Sequence, residues 1–65
     1  MMLNNRGLPD YLSPSEVAEI LNVHINTVYN LCKKGEIPSF KFGNSRRIKT
    51  ESLINWIDEK EKEGD

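Results

Sequence analysis

Val23-His24-Ile25-Asn26-Thr27-Val28-Tyr29-Asn30-Leu31-Cys32-Lys33-Lys34-Gly35 is the stretch that decides the fold of this 65-residue chain. Val28, Leu31 and Cys32 fall at i, i+3 and i+4, the spacing of one apolar helix stripe that must bury against a core. Asn26, Tyr29, Asn30 and Lys33 fall at i, i+3, i+4 and i+7 and share a second face, turned away from that core. This face holds two amides, a phenol and an ammonium, and no carboxylate. Amides and cations read base edges and phosphates, although the same set also suits an ordinary solvated face. What flanks the helix decides between the two.

Upstream, Ser13-Pro14-Ser15-Glu16 is the clearest helix start in the chain. Ser13 can cap, Pro14 suits the first helical position, and Glu16 completes a capping box. A first helix is predicted from about Pro14 to about Asn22, with Val17, Ala18, Ile20 and Leu21 on its buried side. Its exposed amides could hold a phosphate. Glu16 and Glu19 weaken that use, so Ser13 is read as a cap and Ser15 is left open. Asn22-Val23-His24 makes the turn into the central helix. Asn22 is the residue suited to positive φ, and Val23 is expected to tuck between the helices. His24 stands at the cap position, where Ser or Asp would serve better, which hints weakly at a contact. Two helices joined by a tight turn, the second with a polar face, form a helix-turn-helix pattern.

Downstream, Gly35 ends the central helix behind Lys33 and Lys34, and helix-end electrostatics alone account for both lysines. Ile37-Pro38 pushes the chain into extended structure. Phe40-Lys41-Phe42 alternates, and Arg47-Ile48-Lys49 alternates again after Gly43-Asn44-Ser45, which reads as a β-hairpin. Phe40, Phe42 and Ile48 are expected to face the helices. Lys41, Asn44, Arg46, Arg47 and Lys49 should crowd the outer face and the tip. Arg46 shares parity with Ile48, so either a bulge re-aims it or it lies beyond the edge of the core. Cations packed on so short a ribbon repel one another unless an anion is present, and a purely structural ribbon has no need of them. Thr50 is read as the cap of a last helix, Glu51 to about Lys60, with Leu53, Ile54, Trp56 and Ile57 as its apolar stripe. Trp56 is expected to be the largest single burial. The run from Asp58 to Asp65 should be a solvated, fraying end.

Tyr11-Leu12 is a short apolar lead-in to the first helix, either strand or staple. Residues 1–10 lack periodicity and read as a flexible lead, 11–60 as the single domain, and 61–65 as a charged tail. One cysteine excludes an internal disulfide, and one histidine with it cannot make a structural zinc site unaided. No apolar run suits a membrane span or a signal peptide, so a cytoplasmic, nucleoid-associated protein is expected. The formal net charge of −1 conceals an uneven distribution. Residues 33–49 hold six Lys/Arg and one Glu, whereas residues 50–65 hold two Lys and six Asp/Glu. A local basic patch of this kind is the electrostatic footprint of a nucleic-acid binder.

The residues LSPSEVAEILNVHINTVYNLCKKGEIPSFKFGNSRRIKTESLINWI resemble the excisionase family of DNA-binding domains, small relatives of the winged helix-turn-helix in MerR-type regulators. The resemblance is carried by Leu12-Ser13, Glu16-Val17-Ala18, Thr27-Val28-Tyr29, Gly35-Glu36-Ile37-Pro38, Gly43, Arg47-Ile48 and the Leu53-to-Ile57 segment, and covers roughly residues 11–58. It implies a mainly α fold with a small β-hairpin: helix-turn-helix, two-stranded wing and C-terminal helix. It places the second helix in the major groove, with Asn26, Thr27, Tyr29, Asn30 and Lys33 on or against the groove, and His24 stands beside them as a further candidate contact. It places the wing, through Lys41, Asn44, Ser45, Arg46 and Arg47, on phosphate or the adjacent minor groove. Asn22 stands where the family usually has Gly. His24-Ile25-Asn26 replaces a more basic helix start, which shifts the phosphate contacts toward the wing.

The function expected from this is sequence-specific binding of double-stranded DNA, with no cofactor, metal or membrane involved. The chain stops without the long dimerising helix of MerR-type regulators. That favours a small recombination accessory factor working beside an integrase or recombinase, or a compact transcription regulator, with a second copy on an adjacent site as another partner. The alternative class is a protein–protein interaction module on the same fold. An enzyme is not expected, for the sequence holds no nucleophile–base pair, no second histidine and no phosphate-cradling glycine loop.

Overall fold

The computed structural model describes residues 7–64, and the expected lead over the first six residues lies outside them. Six elements follow in chain order: β1 (Tyr11–Leu12), α1 (Pro14–Leu21), α2 (Ile25–Lys33), β2 (Phe40–Phe42), β3 (Ser45–Lys49) and α3 (Thr50–Glu63). The three strands form one antiparallel sheet in the order β1-β3-β2. Tyr11-Leu12 is therefore a strand. It closes the free edge of β3, pairing Tyr11 with Lys49 and Leu12 with Ile48.

The helix starts follow local chemistry. Ser13 Oγ accepts from the Glu16 N–H at 3.2 Å, while Glu16 Oε1 accepts from the Ser13 N–H at 2.9 Å, completing the capping box. Asn22 ends α1 in the left-handed region at φ 58°, as its place in the turn predicts. Its N–H donates to Glu19 O at 3.2 Å, and the Val23 N–H donates to Ala18 O at 3.0 Å. A β-branched side chain in that conformation is strained by about 1–2 kcal/mol. Asn22→Val should therefore lower the melting temperature by roughly 4–8 °C per kcal/mol, read by circular dichroism, with Asn22→Gly close to the parent. Val23 does not tuck between the helices. It is exposed, because the tight turn is closed by its backbone rather than by its side chain.

The core is Leu12, Val17, Ala18, Val28, Cys32, Ile37, Ile48 and Leu53, with Ile20, Leu21, Ile25, Leu31, Trp56 and Ile57 packed around it. Cys32 is a free, buried thiol, as its place in the apolar stripe predicts. Trp56 is only partly buried. It lies about one turn beyond Leu53 along α3, where the small core ends, and the Lys60 ammonium stands 5.9 Å from its ring centroid.

Two expectations about α3 are corrected. Thr50 is not its side-chain cap: Lys49 holds the cap position with no side-chain bond. Thr50 is instead almost fully buried. It donates through Oγ1 to Pro9 O and through its N–H to Asp10 O at 2.9 Å, tying the incoming chain to the start of α3. The helix also runs past the expected end at about Lys60 and continues to Glu63. Alternating signs give it pairs at helical spacing: Lys62–Asp58 at 3.5 Å and Lys60–Glu63 at 3.4 Å. Lys60 also meets Glu36 at 3.5 Å, pinning α3 to the segment after α2. The Glu36 carboxylate, then Glu63, raises the Lys60 pKa above its ordinary value.

The hairpin register is the main correction. Phe40 pairs with Arg47, Lys41 with Arg46 and Phe42 with Ser45, leaving Gly43-Asn44 as a two-residue turn with Gly43 at φ 65°. Ser45 thus belongs to β3 and not to the loop. That slip of one residue flips every side chain of β2 to the other face. Phe40 and Phe42 do not face the helices; they are 44% and 71% exposed on the outer face. Lys41 moves to the inner side, opposite Arg46. No bulge interrupts the pairing of β2 with β3, so Arg46 lies on Ile48's side beyond the edge of the core.

Candidate nucleic-acid interface

Between α2 and the β2–β3 hairpin lies an open cleft of about 430 Å³. Tyr29 and Lys33 line it from α2, and Lys41, Asn44, Ser45, Arg46 and Arg47 line it from the hairpin. Seven residues singled out from the sequence thus share one concavity. Ile25 and, at the start of α1, Ser13, Pro14 and Ser15 complete its lining. Ser15 was left open by the sequence. It is exposed in the first turn of α1, and its place in the cleft lining follows from tertiary packing.

The remaining α2 residues, His24, Asn26, Thr27 and Asn30, are exposed but do not line the cleft. They extend the same polar surface along the helix. His24 proves a functional cap: its Nδ1 accepts from the Asn26 N–H at 3.0 Å. With Nδ1 engaged by that amide, Nε2 is the ring nitrogen left to meet a ligand. The α2 face therefore offers an imidazole nitrogen at His24, an ammonium at Lys33 and amides at Asn26 and Asn30.

On the hairpin, Arg46 is half-buried and its Nη1 donates to Ser39 Oγ at 2.8 Å. Arg47 Nη1 donates to the Arg46 carbonyl at 3.1 Å. Both guanidiniums are thus oriented by neutral oxygens and lack a carboxylate partner among the described ion pairs. β2 and β3 together carry Lys41, Arg46, Arg47 and Lys49 and no acid. Lys49 pairs with Glu51 at 3.8 Å, whereas Lys41, Arg46 and Arg47 have no acidic partner among the described ion pairs, and beside an amide-bearing helix face they present positive potential to an anion arriving from one side. Acidic side chains gather instead on α3.

Among the described residues, no cluster of His, Cys, Asp and Glu could hold a metal ion, and no helix is long and apolar enough to cross a membrane. A family model described as a helix-turn-helix domain matches residues 11–61. No curated protein and no solved structure gives a significant match to the chain. The matched span runs from the strand that leads into α1 to the last turns of α3, and includes both helices of the turn, the basic ribbon and the cleft between them. With that span and that geometry, the chain belongs to the helix-turn-helix domain family, as a DNA-binding domain of the winged, excisionase-like type.

Proposed function

We propose that this domain recognises a specific double-stranded DNA site, with α2 in the major groove and the β2–β3 wing on phosphates and the adjacent minor groove. The observation that carries the reading is the single cleft lined jointly by Tyr29 and Lys33 of α2 and by Lys41, Asn44, Ser45, Arg46 and Arg47 of the wing. Asn26 and Asn30 are the base readers in this reading, since a carboxamide pairs bidentately with adenine and discriminates by about 1–3 kcal/mol per good pair. His24, Thr27, Tyr29 and Lys33 pack against the groove wall and its phosphates. Asn44 sits in the turn and Ser45 at the start of β3 beside it, and the wing cations provide affinity independent of sequence.

A lone module of this size buries about 600–1,000 Å² of protein surface on DNA, which supports modest affinity. Useful occupancy then calls for a neighbouring copy or a protein partner such as an integrase or recombinase. This suits an excisionase-like recombination accessory factor or a compact transcription regulator, acting by binding rather than by catalysis.

The test is an amide chemical-shift titration of labelled protein with duplex DNA at two salt concentrations. Shifts should concentrate at residues 24–34 and 41–49. If Lys33, Lys41, Arg46 and Arg47 each neutralise one phosphate, log K falls against log salt with a slope of about −3.6, roughly a hundredfold loss between 50 and 200 mM. Shifts confined to α3, or none, would sink the reading and favour a protein-docking module.

A further inference from the structure

The outer face of the sheet carries aromatic side chains that do not line the cleft, although Ser45 and Arg47 at its margin do. Register places Tyr11, Lys49, Arg47, Phe40, Ser45 and Phe42 on it, because directly paired residues share a face. Three of the large apolar side chains left exposed lie here: Tyr11 at 49%, Phe40 at 44% and Phe42 at 71%. Tyr11 and Phe40 meet edge to face, with ring centroids 5.8 Å apart and planes at 84°. Phe42 follows Phe40 by two residues on the same strand, about 6.6 Å further along. The three rings therefore form a strip across the sheet.

That strip is bordered by cations. Arg47 lies opposite Phe40, and Lys49 lies opposite Tyr11. Lys49 reaches Glu51 at 3.8 Å in a pair exposed on both sides, so the strip ends there in mixed charge. Along β2 and β3 themselves the charge is wholly positive. Aromatic faces at strand spacing beside Arg47, which has no acidic partner among the described ion pairs, match a ligand that is anionic along its backbone and flat in its side groups. An apolar protein surface would gain from the rings but would leave Arg47 without a partner. Duplex DNA would satisfy the cations but keeps its base faces stacked out of reach.

We propose that this outer face is a stacking platform for single-stranded nucleic acid. One unstacked base lies on Phe42 and the next on Phe40, Tyr11 backs the second ring, and Arg47 and Lys49 meet the phosphates between them. Stacking of this kind is tolerant of sequence and depends on salt. Arg47 borders both sites, but Tyr11, Phe40 and Phe42 do not line the cleft, so substitutions at the rings test this site separately from the duplex reading.

The experiment is fluorescence anisotropy of the full chain with a labelled 12-nucleotide oligothymidylate, which cannot form a duplex. Parent protein should bind it, and Phe40→Ala and Phe42→Ala should each weaken it about tenfold without changing affinity for duplex DNA. Arg46→Glu, on the cleft side, should leave oligothymidylate affinity within about twofold. Both aromatic positions are exposed, so unchanged thermal melts are expected and are checked alongside. Oligothymidylate binding that is absent, or insensitive to both aromatic substitutions, overturns the proposal. Self-association of the parent that Phe42→Ala abolishes, without oligothymidylate binding, would assign the face to protein contact instead.

Discussion

Arg46→Glu combined with Arg47→Glu should abolish measurable binding to duplex DNA, weakening it by at least roughly a hundredfold, or about 2.8 kcal/mol. Both guanidiniums line the cleft shared with α2, and neither has a carboxylate partner among the described ion pairs. Two contributions act together. Two phosphate contacts are lost, which should roughly halve the salt slope, from about −3.6 to about −1.8. Two anions are also placed against a polyanion, a repulsion that grows as salt is lowered. Arg46 Nη1 donates to Ser39 Oγ, and losing that bond costs about 0.5–1.5 kcal/mol of fold stability. The measurement therefore pairs a binding titration with a thermal melt and repeats both with the milder Arg46→Gln, Arg47→Gln variant. Lys62→Glu, on the far end of α3, is the control and should leave affinity within about twofold. If the reversed variant folds and still binds duplex DNA as the parent does, the wing is not the phosphate clamp.

The wing's cations were legible in the sequence, but their placement was not. Counting residues shows that the segment from Lys33 to Lys49 is basic, since that needs no geometry. Which face each cation occupies depends on the turn, and Gly43-Asn44-Ser45 can be read as a loop of three residues or as a turn of two followed by a strand. The three-residue reading sends Phe40 and Phe42 inward and Lys41 outward. The structure has the two-residue turn, so Lys41 joins Arg46 on the cleft side and the phenylalanines lie outside. A period of two carries no memory of where it starts, so alternation alone could not fix this.

Local signals fared better than those that need a distant partner. The Ser13–Glu16 box and the positive φ of Asn22 are decided within four residues of chain, and both stand as the sequence predicts. Thr50 has the residue type of a helix cap, yet Lys49 holds the cap position and the Thr50 hydroxyl is claimed by the Pro9 carbonyl, far back in the chain. A cap is a local inference and a long-range tie overrides it. His24 shows the reverse. It is a disfavoured cap by statistics, and its ring nitrogen still satisfies the Asn26 amide. The site was legible as a set of residues for the same reason. The polar α2 face follows from helical period, but its meeting with the wing and with Ser15 needs the three-dimensional path of the chain.

Ile48→Ala should remove most of the domain's stability, and its contrast with Phe42→Ala tests the register directly. Ile48 is fully buried on β3, the central strand, which pairs with β1 on one side and β2 on the other and packs against α1 and α3. Truncating a buried isoleucine costs about 2–5 kcal/mol through lost burial and the cavity left behind. At 0.05–0.15 kcal/mol per residue, a domain of this length has only about 3–10 kcal/mol in total. The variant should therefore melt at least roughly 10 °C lower, or be unfolded at room temperature. Phe42→Ala carries the larger truncation but at a ring that is 71% exposed, and should change stability by no more than about 0.5 kcal/mol. A one-residue slip of the hairpin would put Phe42 in the core, where the same change costs about 3–5 kcal/mol. Chemical denaturation of the two variants beside the parent separates the cases. Equal losses at both positions would mean that β2 presents its phenylalanines to the helices, and would return Lys41 to the solvent side and the aromatic strip to the core.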